Sequence, residues 1–100
     1  MTPKETAIAT VEKFFELLGY KAPIMDSWET HGFIDGIACV YQDRYTIAAL
    51  SFKDTLNVSV YDFVEDARRD DILRVGKIGP ELAAKFTREA INAYEQELAE

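Results

Sequence analysis

The sequence predicts a small α+β domain: an antiparallel meander sheet of three to four strands, an N-terminal and a C-terminal helix packed on one face of it, and a short charged helix. Three observations carry this reading. The first and last stretches of the chain place apolar residues at three- and four-residue steps behind proline-marked starts, which is the periodicity of a helix with one buried side. Between them lie runs rich in β-forming residues, separated by turns too short for parallel crossovers, so consecutive runs pair antiparallel. The length, 100 residues with 48% apolar, suits one domain spanning 1–100 that buries a core without covalent staples.

Thr2-Pro3-Lys4-Glu5 reads as a capping box with proline at the first helical position, where its missing N–H costs nothing. A helix follows, with Ile8, Val11, Phe15 and Leu18 as its stripe and Ala7, Phe14 and Leu17 widening it, until Gly19 supplies a left-handed cap. Residues 20 to 26 form a connector, and Met25 to Thr30 suits either a short strand or an irregular lead into one. Phe33 to Tyr41 reads as a strand interrupted at Gly36, and Tyr45 to Phe52 as a strand with apolar residues on both faces, as in the middle of a sheet. Leu56, Val58 and Val60 alternate with Asn57, Ser59 and Tyr61, which puts one set on the core and the other on the opposite face.

Residues 63 to 75 carry alternating blocks of charge, Glu65-Asp66-Ala67-Arg68-Arg69-Asp70-Asp71, that suit an exposed helix with Val64, Ala67, Ile72 and Val75 as its packing side. Gly76 to Gly79 then reads as a tight interhelical turn. Pro80-Glu81 opens the last helix, with a stripe of Leu82, Phe86, Ala90, Ala93, Tyr94 and Leu98. The first and last helices are the natural covers for the Leu56/Val58/Val60 face.

The net charge of −7 disfavours direct nucleic-acid binding and binding to anionic membrane lipid, because both need a concentrated positive surface. Five acidic against two basic residues fall within 81–100, yet the acidity is too dispersed for a nucleic-acid mimic. The single cysteine, Cys39, permits no intrachain disulfide, so the expected compartment is a reducing one, the cytoplasm. No apolar run has the length of a signal peptide or a membrane span.

No catalytic, metal or cofactor signature emerges. Asp26, Glu29, His31 and Asp35 lie close together but match no metal-ligand spacing, and solvated loop residues explain them as well. Cys39, between Ala38 and Val40, reads as a small core residue and not as a nucleophile. Gly76-Lys77-Ile78-Gly79-Pro80 lacks the order of a phosphate-binding loop, and Pro80 removes a donor such a loop would use.

Two readings of function follow. In the first, the domain is a small acidic interaction protein, of the inhibitor, immunity or regulatory type, that docks on a larger and basic partner. Asn57, Ser59 and Tyr61 on the exposed sheet face would make the contacts, with Glu89, Glu95 and Glu97 supplying long-range attraction. In the second, it is a small-molecule binding domain or minor enzyme with a pocket between the sheet and the first helix, lined by Phe14, Phe15, Trp28, His31 and Tyr45. A two-fold homodimer through a bare sheet face is compatible with either.

Overall fold

A computed structural model describes residues 2–20, 36–62 and 71–99. In chain order the elements are α1 (Pro3–Leu18), β1 (Gly36–Gln42), β2 (Tyr45–Phe52), β3 (Thr55–Asp62), β4 (Leu73–Ile78) and α2 (Pro80–Ala99). The four strands form one antiparallel meander in the order β1-β2-β3-β4, so the predicted α+β architecture holds.

The signals at both ends of α1 act as their chemistry requires. The Glu5 N–H donates to the Thr2 hydroxyl at 3.1 Å while the Thr2 N–H donates to the Glu5 carboxylate at 2.9 Å, and the interactions of Thr2 with that carboxylate, its N–H first, hold the carboxyl below its ordinary range. Gly19, at φ 82°, takes the left-handed turn that ends the helix, and its N–H donates back to the last turn. The Thr10 hydroxyl lies 2.8 Å from the Thr6 carbonyl and 2.9 Å from that of Lys53, which ties α1 to the two-residue turn joining β2 and β3. Lys53 itself sits at φ 57°, the conformation such a hairpin asks of its first turn residue.

Both helices pack on the same face of the sheet. Ala7, Val11, Phe14 and Phe15 of α1 and Ala83, Ala84 and Ile91 of α2 form one buried cluster with Ile37, Cys39, Ile47, Ala49, Leu56, Val58 and Val60. The helices also meet each other, and Arg88 of α2 donates to the Leu17 carbonyl, placing a cation on the C-terminal end of α1. The exposed Lys13–Glu81 pair at 3.9 Å adds little in water. Thr87 is fully buried, and among the described residues its hydroxyl has no hydrogen-bond partner.

Two expectations need correction. Residues 73–75, expected to end a charged helix over 63–75, instead begin the fourth strand, and residues 71 and 72 are not helical; 63–70 lie outside the described residues. Gly76 is accordingly no part of an interhelical turn, and a strand, not a helix, leads into α2 through Gly79. The period-two pattern of β4 is broken by a bulge: Val58 pairs with Val75 and Leu56 with Ile78, so Gly76 and Lys77 together oppose Asn57. Lys77 takes φ 59°, its N–H donates to the Asn57 side-chain oxygen at 3.0 Å, and a Cβ on Gly76 would come within 2.5 Å of that same oxygen.

The buried side of α2 is also displaced from the predicted stripe. Ala83, Ala84, Thr87 and Ile91 are buried, whereas Leu82 and Leu98 are 43% and 48% exposed and Ala93 is exposed. Small residues occupy the helix contact because they let the backbone of α2 approach α1 and the sheet closely, and the larger leucines are left on the flanks.

Candidate functional site

Strand register divides the sheet into two chemically different faces. The inner face carries the core. On the outer face each of the first three strands presents four residues, and the pairing sets them in rows: Gly36, Phe52 and Thr55; Ala38, Leu50 and Asn57; Val40, Ala48 and Ser59; Gln42, Thr46 and Tyr61. None of these is Asp, Glu, Lys, Arg or His, in a chain of which 29% is charged. The apolar members concentrate on β1 and β2, the polar ones border them on β3, and Arg74, opposite Ser59, adds a cation at the rim.

Ala38, Val40, Ala48, Leu50, Phe52 and Tyr61 are half-buried. They are not among the partly buried apolar residues packed on the core cluster, a set that includes Tyr41, Leu73, Val75 and Ile78 from the inner face. Neither α1 nor α2 covers them. The predicted contact residues Asn57, Ser59 and Tyr61 are therefore brought together on this face, with Asn57 also holding the β4 bulge. Glu89, Glu95 and Glu97 are exposed on α2, in the other layer of the molecule, so the two halves of the predicted contact set do not form one patch. Ala38, Val40, Ala48, Leu50 and Phe52 were missing from that set; the signal for them was the two-sided apolar character of Tyr45 to Phe52.

A polar network pins one end of the sheet to α2. Asp62, 5% exposed, accepts from Arg44 at 3.3 Å and from the Tyr94 hydroxyl, so a carboxylate removed from water gains both an opposite charge and a donor. The Tyr45 hydroxyl donates to Glu95 at 2.8 Å, its ring meets Tyr94 edge-on at 6.2 Å, and the Arg44 guanidinium stands 5.5 Å from its centroid. Burial, and then the bond to Glu95, push the Tyr45 phenol up to about 12. The group is far from a proton donor or acceptor at neutral pH, and the network's role is to hold the β1–β2 turn, the end of β3 and α2 together.

This shift has a measurable consequence at alkaline pH. The folded protein keeps the Tyr45 proton to about 12, while an unfolded tyrosine loses it near ~10, so the stabilisation is complete below pH ~10 and is lost as pH rises through 12. Denaturant titrations should show stability falling across that window, and less steeply in Tyr45→Phe. An identical pH profile in the two proteins would refute the assignment.

Of the residues of the predicted pocket, Phe14, Phe15 and Tyr45 are described. Phe14 and Phe15 are 0% and 3% exposed and pack edge-on in the core at 4.9 Å, and Tyr45 belongs to the network above. Trp28 and His31 lie outside the described residues, as do Asp26, Glu29 and Asp35. A shallow cleft of about 340 Å³ does occur elsewhere, between α2 and the approach to β4, lined by Asp71, Ile72, Ala90, Ala93, Tyr94 and Glu97. Its Asp71 is committed to Arg74 at 2.9 Å. The Cys39 thiol, 1% exposed, is pushed by burial up to about 11, as suits an inert core residue. Among the described residues no helix is long and apolar enough to cross a membrane.

No protein-family model, no curated protein and no solved structure matches the chain.

Proposed function

We propose that this chain is a small protein-interaction domain that docks through the outer face of its sheet. The observation that carries the reading is the absence of charge from the outward positions of β1, β2 and β3. Interface cores are depleted in charged residues relative to the surrounding surface, and aromatic residues are enriched there. A sheet face that meets only water is normally populated by polar and charged side chains, because alternation along each strand is free to place them there. Here Leu50, Val40 and Phe52 stand in their place, with Tyr61 at one corner and Arg74 at the rim as a polar border.

The regulatory or inhibitory roles considered from sequence belong to this class, since they need a recognition surface and no catalytic group. A basic partner drawn by Glu89, Glu95 and Glu97 would arrive at the helical layer, so the uncharged outward positions of β1, β2 and β3 favour an uncharged contact surface. A photo-reactive residue replacing Ala48, at the centre of the face, should yield covalent protein adducts in the cells that make this protein, and the same residue replacing Glu89 should not. Adducts from position 89 with none from position 48 would contradict the reading.

A further inference from the structure

The geometry points to an oxidative modification site: Tyr20 and Tyr41 are placed to be joined to one another, ring carbon to ring carbon, by hydrogen peroxide acting through a one-electron oxidant. The inference stands apart from the docking reading, because both rings pack with the core cluster on the inner side of the sheet. Their planes lie 6° apart and their centroids 4.3 Å apart, so each ring has the other as its van der Waals neighbour. Both backbones are fixed. Tyr20 follows the left-handed Gly19, and its N–H donates to the Phe15 carbonyl at 3.0 Å, which completes the cap of α1. Tyr41 is held in β1 by its pairing with Ile47. Folding has already brought the two rings together, and such fixed proximity raises the effective concentration of one reactant at the other.

A phenol gives up an electron more readily when its proton leaves with it, and the Tyr41 hydroxyl donates to the Asp43 carboxylate at 3.4 Å, an acceptor for that proton. Each tyrosine loses one electron and its hydroxyl proton. The two radicals then form a bond between their ortho carbons, and the hydrogen on each of those carbons moves to its own oxygen, restoring both phenols. The two electrons and two protons reduce one hydrogen peroxide to two waters. The remaining tyrosines are arranged otherwise: Tyr45 and Tyr94 meet edge-on at 78° with centroids 6.2 Å apart, their hydroxyls committed to Glu95 and Asp62, and Tyr61 lies on the outer face. The product ties the end of α1 to the first strand and closes the loop between positions 20 and 41, which restricts the unfolded chain more than the folded one.

Treatment of the purified chain with a haem peroxidase and limiting hydrogen peroxide, followed by peptide mapping in a mass spectrometer, tests the inference. The main cross-linked product should join the peptides of Tyr20 and Tyr41 within one chain, in a yield unchanged by dilution, and it should raise the thermal unfolding midpoint. Tyr20→Phe and Tyr41→Phe keep the stacked rings and remove one phenol, so each should stay folded and lose that product, whereas Tyr61→Phe should form it as the parent does. In strong denaturant the yield should fall several-fold, because the effective concentration that the fold supplies is gone. Cross-links that favour other tyrosines, cross-links found only between chains, or an equal yield from the denatured chain would each overturn the inference.

Discussion

Phe14→Ala is expected to lower the free energy of unfolding by about 3–5 kcal/mol, through the lost transfer energy of the ring and the cavity it leaves. Phe14 is fully buried, packs edge-on against Phe15 at 4.9 Å, and belongs to the cluster that joins α1 to the sheet. Its neighbours in that cluster are mostly β-strand side chains whose positions are fixed by the ladder, so the site can collapse little to fill the space. A domain of this size is typically stable by about 5–15 kcal/mol, so the variant should remain folded only in mild conditions. Chemical denaturation measures the loss, and a change below ~1 kcal/mol would show that the core is not organised around this ring.

Ala49→Lys is expected to unfold the protein outright. Ala49 is 3% exposed at the centre of the inner face, paired with Cys39 on one side and Val58 on the other, beneath the helical layer. A lysine there has no carboxylate within the apolar cluster to pair with and would have to bury its ammonium or force the helices from the sheet. Either response exceeds the few kcal/mol that separate folded from unfolded chains. The far-ultraviolet circular dichroism of this variant should be that of a largely unfolded protein, and native-like thermal unfolding would show that Ala49 does not face the core.

Where the physics is local, the sequence was readable. Thr2, Pro3, Glu5 and Gly19 mark the ends of α1 because capping depends on residues a few positions apart. The alternation of Leu56, Val58 and Val60 marks β3 because an uninterrupted period of two has one structural meaning. β4 was misread for the complementary reason. Its alternation lasts only from Leu73 to Val75 before the Gly76–Lys77 bulge shifts it, and the charge blocks of 65–71 just before it have helical spacing. On α2, size was a poor guide to burial: Leu82 and Leu98 suggested the stripe, but close helix approach selected Ala83 and Ala84.

The candidate site was only partly readable, because it is a product of register. Asn57, Ser59 and Tyr61 followed from the alternation within one strand. That Ala38, Val40, Ala48, Leu50 and Phe52 complete the same face depends on the pairing of Ala48 with both Val40 and Ser59, which no single segment encodes. The polar network had no local signal either: Arg44, Tyr45, Asp62, Tyr94 and Glu95 come from three separate parts of the chain.

The measurement that tests the central claim most directly is the thermal unfolding of Ala48→Lys beside that of Ala49→Lys. The residues are neighbours in β2 but face opposite ways. If the outer face is a docking surface and not a second core, the lysine at 48 keeps its ammonium in water and changes stability by no more than about 0.5–1 kcal/mol, while the lysine at 49 abolishes the transition. Unfolding of both variants alike would mean that the outer face is interior to the folded chain, and the docking surface proposed for it would not exist.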